Sequence, residues 1–218
     1  MHSEIRHRPA FAALFLRLRP GDKIVAESDA MASMSPRVQM RTRFSGGFFR
    51  ALMRRFFGRE TLFVNEFSCA EGEGELVLTQ PTPGDIAELE LRGNSLYLQP
   101  GAFIACSAEV ELGLGWAGLR SWFSGEGLFR LKVSGQGKVW FGAYGGIFSK
   151  EVQGEYLVDS SHLVAYEPTV RLRLGLAGGL FSSFFGGEGF VSRMQGQGRI
   201  YLQSRSFEGL TAWTNGHL

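Results

Sequence analysis

Three glutamates are the first candidates for chemistry. Glu60, Glu126 and Glu188 stand in G-R-E at 58–60, G-E-G at 125–127 and G-E-G at 187–189, each shortly after an aromatic pair. Three carboxylates brought together would bind a cation or raise one another's pKa. The simpler expectation is that each accepts hydrogen bonds from its own glycine-rich turn, because a motif recurring within one chain is first a folding device.

Other constellations are weaker. Gly113-Leu114-Gly115-Trp116-Ala117-Gly118 matches G-x-G-x-x-G after an apolar strand, but a dinucleotide site also needs a following helix and an acidic residue about 20 positions on. The window Val133 to Lys138 holds no acid, so the motif is expected to be a glycine-rich loop recurring at Gly175 to Gly179. There is no G-x-S-x-G elbow. Of the four histidines, His2, His7 and His217 lie near the termini, and His162 beside apolar residues reads as a turn or core histidine. Cys69 and Cys106 have no C-x-x-C spacing and read as small core residues. No His, Cys, Asp or Glu cluster has metal-ligand spacing. No catalytic residue, cofactor or metal site is expected, and the chain is expected not to be an enzyme.

The segments that lead to the three glutamates carry more information. Phe48, Phe49, Leu52, Met53, Phe56 and Phe57 recur at i, i+1, i+4, i+5, i+8 and i+9, and Leu176, Leu180, Phe181, Phe184 and Phe185 repeat the pattern. In between, Trp116, Trp122 and Phe123 occupy the corresponding stretch. Each is expected to be a short amphipathic helix or apolar loop inserted into a β-unit, and together these aromatics form the candidate interaction surface. In the first, Arg50, Arg54, Arg55 and Arg59 lie opposite, as in a helix resting on an anionic membrane. Core plugging or a subunit contact is the favoured alternative, because apolar stripes usually face protein.

The elements that must position these segments are strands. Val25 to Ala32 aligns without gaps on Leu98 to Ala105 and on Val158 to Ala165, each an apolar strand, a turn and a second short strand. G-E-G at 72–74 and G-Q-G at 135–137 and 196–198 precede E-L-V-L, K-V-W-F and R-I-Y-L. Each is expected to turn a hairpin, with glycine supplying positive φ. The chain therefore divides into units of about 8–80, 81–148 and 149–206, packed as one body over 1–206 with approximate three-fold internal symmetry. A tail at 207–218 matches nothing. The joins Pro81-Thr82-Pro83-Gly84 and 145–150 are too short to be flexible linkers.

Read together, P-G-D-I-A-E-L-E-L, Q-P-G-A-F-I-A, S-G-E-G-L-F-R-L-K-V-S-G-Q-G, D-S-S-H-L-V-A-Y-E and G-G-L-F-S-S-F-F-G-G-E-G-F-V closely resemble the altered-inheritance-of-mitochondria family over Pro9 to Ser206. Its bacterial members are described as tryptophan-RNA-binding-attenuation-protein-like, or TRAP-like. The resemblance implies an all-β fold of three short β-sandwich units, of the double-stranded β-helix type, around a pseudo-three-fold axis. It implies no activity and no catalytic residues. The first unit departs from the pattern: G-R-E-T replaces the Gly-Glu-Gly block, and the stretch from Glu60 to Gly74 is longer than its counterparts.

Composition agrees with a folded β chain. The 30 glycines in 218 residues are roughly twice the usual share, without the G-X-Y period of collagen. No apolar run approaches the ~18 residues of a transmembrane helix. Residues 1–60 hold 12 Lys+Arg against 5 Asp+Glu, whereas 61–218 hold 11 against 16. The basic part is N-terminal, but the acidic remainder and the lack of an Arg/aromatic stacking platform disfavour nucleic acid. The N-terminus lacks a signal-peptide cleavage site, and its apolar run from Ala10 to Leu16 reads as a strand. A cytoplasmic location is expected, with peripheral membrane association the variant that the aromatic segments would support. The expected role is a non-enzymatic scaffold or interaction protein that forms a homo-oligomer, a trimer included, or meets a membrane or protein partner. The alternative is a small-ligand or cation-binding protein with its site between units.

Overall fold

A computed structural model of the chain describes residues 1–43, 64–99, 101–116, 129–176 and 190–215. Fifteen strands account for most of them. The first part carries β1 His2–Arg6, β2 Ala13–Leu18, β3 Lys23–Glu27, β4 Met31–Met34, β5 Val38–Arg43, β6 Val64–Cys69 and β7 Gly74–Thr79. The middle part carries β8 Ile86–Leu98, β9 Phe103–Ser107, β10 Val110–Trp116 and β11 Phe129–Gly142. In the last part are β12 Ile147–Asp159, β13 Leu163–Tyr166, β14 Val170–Leu176 and β15 Phe190–Gln203. Among the described residues one α-helix follows, α1 Phe207–Asn215. The fold is all-β, as the alternating sequence implies. In β2, for example, Leu14, Leu16 and Leu18 are buried while Arg17 between them is exposed.

Pairing is antiparallel throughout the ladders. In the middle part the long strand β11 takes β8, β9 and β10 as partners, and in the last part β15 takes β12, β13 and β14 in the same way. The first part spreads the corresponding ladders over more strands: β7 pairs with β2 and β4, and β6 with β3 and β5. β1 adds outside β2. Two ladders join the parts, β3 to β9 and β8 to β13. The result is a four-stranded sheet ordered β1-β2-β7-β4 and an eleven-stranded sheet running from β12 to β5, and among the described residues neither sheet closes on itself.

The glycine blocks behave differently from the hairpin expectation. Gly135 and Gly137 lie inside the continuous strand β11, and Gly196 and Gly198 inside β15. In the first part Gly72–Gly74 separates β6 from β7, but these two strands belong to different sheets and do not pair. The physical reason is that a positive φ reverses a chain only when the next residues also turn; alone, it kinks a strand or shifts its register. Gly135 at φ 110° coincides with the register shift between Ser134 and Gln136 against β8. Gly113 and Gly115 also lie in a strand, paired with Lys132 and Arg130 across β10 and β11, rather than in a loop.

The ladders move the expected alignment by one residue in the first part. β4, β9 and β13 share an irregularity against their long strands, and it places Ser33, rather than Ala32, with Ala105 and Ala165. Across the joining ladders Ala26 faces Ala105 and Leu98 faces Ala165, so Ala26, not Val25, corresponds to Leu98. Strand irregularities add or drop a residue, which a gap-free alignment cannot register.

Three hydrophobic clusters fill the interior. One unites the first part with Ile86, Ile104, Ala105 and Trp140 of the middle part. The second centres on Leu96, Val133 and Phe141 and reaches Val25 on one side and Val164 and Ala165 on the other. The third is confined to the last part, with Tyr97 packed against it. At the N-terminus the expected strand is present as β2, preceded by β1. Arg8 grips the buried Asp85 with two bonds, Nε to Oδ1 at 2.8 Å and Nη2 to Oδ2 at 2.9 Å, tying this segment to the start of β8. The tail forms α1, whose Phe207 ring stacks on Tyr144 at 5.2 Å, yet no residue of the helix is buried.

Candidate functional site

All but one of the candidate interaction-surface residues lie outside the described residues: Phe48, Phe49, Leu52, Met53, Phe56, Phe57, Trp122, Phe123, Phe181, Phe184 and Phe185. Glu60, Glu126 and Glu188 lie outside them as well. Trp116 closes β10, opposite Phe129, and its side chain is likewise outside. The roots of the three segments are nevertheless fixed. Arg43 pairs with Val64, Trp116 with Phe129, and Leu176 with Phe190, so each segment leaves and rejoins the body across one cross-strand pair. Directly opposed residues of antiparallel strands have Cα atoms about 4.5–5.5 Å apart, so the three root pairs are junctions of the same kind.

One residue inside the second root, Arg130 is buried to 2% exposure. Its Nη1 donates to Tyr166 Oη at 3.1 Å and its Nε to Gln99 Oε1 at 3.3 Å, and the guanidinium lies 5.4 Å from the Tyr166 ring centroid. Arg130 thus links the middle part to the first turns of the last. Sequence reasoning passed it over, since a single Arg at a strand start carries no periodic signal.

A cleft of about 410 Å³ opens where the three parts and α1 meet. Gln80, Gln99, Ala102, Tyr144, Val164 and Phe207 are among its walls. The glutamine amides already serve the framework. Gln80 Nε2 donates to the Ala143 carbonyl at 2.9 Å, while Gln203 Oε1 accepts from the Tyr144 N–H at 2.9 Å and its Nε2 donates to the Ser161 carbonyl at 2.8 Å. Among the described lining residues there is no Asp, Glu, His, Lys, Arg or Cys. This cleft offers shape, a phenol and small apolar side chains, a surface for binding rather than proton transfer.

The nucleophile candidates are enclosed. Cys106 is buried, and that burial, with a smaller contribution from the Glu109 charge, pushes its thiol up to about 12, so it stays protonated at neutral pH. Cys69 sits against the Arg37, Glu71 and Gly72 carbonyls at the β6–β7 bend. His162 belongs to a single 3-10 turn capped by Asp159, and its Nδ1 contacts the Gln203 carbonyl at 2.7 Å. Among the described residues no three His, Cys, Asp or Glu side chains are grouped to hold a metal, and no helix is long and apolar enough to cross a membrane.

What the described surface does present is a set of open strand edges, β1, β4, β5, β10, β12 and β14, of which β4 differs from its counterparts β9 and β13. All four residues of β4 are exposed, whereas every residue of β9 and β13 is buried. At the other end β12 exposes Phe148, Tyr156 and Leu157. Among the described residues β4 has a ladder only to β7, and β12 only to β15.

A family model described as mitochondrial biogenesis AIM24 matches residues 3–205. The chain belongs to the AIM24 family. A curated relative, an uncharacterized protein of Streptococcus pyogenes serotype M6, is 26% identical over 207 residues, covering 91% of this AIM24-family chain and 83% of the relative. The crystal structure of a Streptococcus pyogenes protein superposes with a TM-score of 0.80 at 25% identity, covering 100% of this chain and 99% of that one. The likeness therefore extends over the length of both chains and assigns no chemistry to this one.

Proposed function

We propose that this AIM24-family protein is a non-enzymatic scaffold or interaction protein that associates with itself. In this reading it consists of three short β-sandwich units, about 8–80, 81–148 and 149–206, repeated in the double-stranded β-helix, TRAP-like manner; of the three seams that a pseudo-three-fold arrangement would have, the one between β12 and β4 is not made among the described residues. The recurrence of one ladder scheme in β8–β11 and β12–β15 supports the units. The observation that carries the functional reading is the exposure of β4 beside the burial of β9 and β13, because an unprotected edge strand is a template for another chain. The aromatic segments, rooted at three like junctions, are the second adhesive element, directed at a protein or membrane surface.

Sedimentation velocity and native mass spectrometry of the full chain from about 1 to 200 µM test the reading. Self-association with a concentration-dependent mass is expected. A monomer across the whole range would count against it. The cleft between the three parts favours a second reading, a small-ligand site, which requires that a weakly polar compound raise the melting temperature and that Val164→Trp abolish the shift.

A further inference from the structure

We infer that β4 and the C-terminal end of β12 are the two halves of one strand-pairing interface, through which one copy of this chain joins a second, head to tail. The inference rests on the self-association proposed above and specifies its contact. Two ladders of one kind join neighbouring parts within the chain. In the first, β9 is clasped between its own long strand β11 and the neighbouring strand β3; Ala105 faces Ala26, and Cys106 faces Val25. In the second, β13 lies between β15 and β8, with Ala165 facing Leu98 and Tyr166 facing Tyr97.

β4 has the same irregular ladder to its own long strand, so Ser33 stands where Ala105 and Ala165 stand, and Met34 where Cys106 and Tyr166 stand. Among the described residues its outer edge carries no third strand. The strand that would supply it has the geometry of β3 and β8. Counted from the positive-φ glycines Gly135 and Gly196, Leu131 and Ser192 are each four residues away, and they face Leu98 and Val158. Val158 therefore stands where Leu98 and Ala26 stand, and Leu157 where Tyr97 and Val25 stand. The missing ladder sets Ser33 against Val158 and Met34 against Leu157, antiparallel.

Exposure singles out the same residues. Val25 is 8% exposed, whereas Leu157, its counterpart, is 54% exposed. Met34 is 40% exposed, and Cys106, its counterpart, is fully buried. Among the described residues the cluster with members from both the first and the last part also spans the middle part, and no cluster includes Met34 or Leu157. Two apolar side chains that would oppose one another in register are thus left in solvent on separate edges. Pairing them in a second copy buries both and satisfies the edge N–H and C=O groups by the same ladder that the chain already uses twice. The contact is heterologous, so copies joined by it close a ring, reciprocally as a dimer or in larger number, or grow as a filament.

The test uses full-length single variants Met34→Cys and Leu157→Cys and a bis-maleimide linker of about 8 Å, at a concentration where the parent chain is associated. Both positions are exposed, whereas Cys69 and Cys106 are buried. Cross-linked dimer is expected when the two variants are mixed and not from either alone, and Leu157→Arg is expected to weaken association at least tenfold with an unchanged circular dichroism spectrum. Cross-linking equally strong within one variant, no product from the mixture, or an internal cross-link in a dilute monomer of the double variant each overturns this pairing while leaving self-association standing. A chain that is monomeric at every concentration removes both.

Discussion

Glu88 illustrates how single polar groups hold the sheets in place. Its Oε2 accepts from Trp140 Nε1 at 2.8 Å and from Ser3 Oγ at 3.0 Å, and Lys138 Nζ lies 2.6 Å from Oε1. Burial would push this carboxyl up, but the hydrogen bonds from Lys138, Ser3 and Trp140, together with the Lys138 charge, hold it below the usual glutamate range. A lowered folded pKa means that the unfolded chain binds the proton more readily. The stabilisation is therefore present above the ordinary glutamate pKa of about 4.3 and is lost as pH falls through the folded value. Glu88→Gln is expected to be less stable than the parent at pH 7, with the gap narrowing at pH 3.5 in urea unfolding; an equal gap at both pH values would contradict this. Nothing in the sequence marks Glu88, because its partners are 85, 52 and 50 residues away.

Among the elements, the long strands depend on their internal glycines. Gly196 has φ 131°, and a Cβ there would collide with the Thr169 carbonyl, so alanine meets both backbone strain and a backbone atom that cannot rotate away. A positive φ costs a non-glycine residue about 1–2 kcal/mol before the clash is added, and Gly196→Ala is expected to destabilise by about 2–4 kcal/mol. Gly113 is the contrasting case, since a Cβ there meets only the Lys132 carbonyl at 3.8 Å. Gly113→Ala should shift stability by less than about 0.5 kcal/mol. Similar losses at both positions, measured by chemical unfolding, would remove the kink argument. The glycine blocks were legible in the sequence and their role was not: the same positive φ serves a hairpin or a bent strand, and the choice depends on which strand lies opposite. The N-terminal strand and the turn position of His162 were readable because their signals are local. α1 was missed, being a short helix with no buried face to impose a period.

Among the described residues the whole molecule is an open series of three parts joined by two unequal seams. β3 and β9 share three paired positions, while β8 and β13 share two, and the cluster of the last part draws only Tyr97 from outside. The last part has the smaller share of the common core, and units with fewer shared buried contacts open independently. Native-state hydrogen exchange should resolve β12–β15 as a set that opens at lower free energy than β8 and β11. One uniform opening free energy across β8–β15 would refute it. Assembly through the proposed contact would raise protection in that set and in the exposed strand β4, linking the exchange pattern to the assembly state.

Local signals in the chain were sufficient for the β class, the glycine positions and the resemblance to the family that the match over residues 3–205 then established. Those properties depend on alternation, turn chemistry and motif order, which are written within a few tens of residues. The bend directions, the one-residue displacement in the first part, the Arg130 and Glu88 contacts and the choice of β4 and β12 as open edges depend on pairings such as Ala26 with Ala105 and Leu98 with Ala165. An edge is open or closed according to what a distant segment brings beside it, and no local pattern records the identity of a neighbour that comes from elsewhere in the chain.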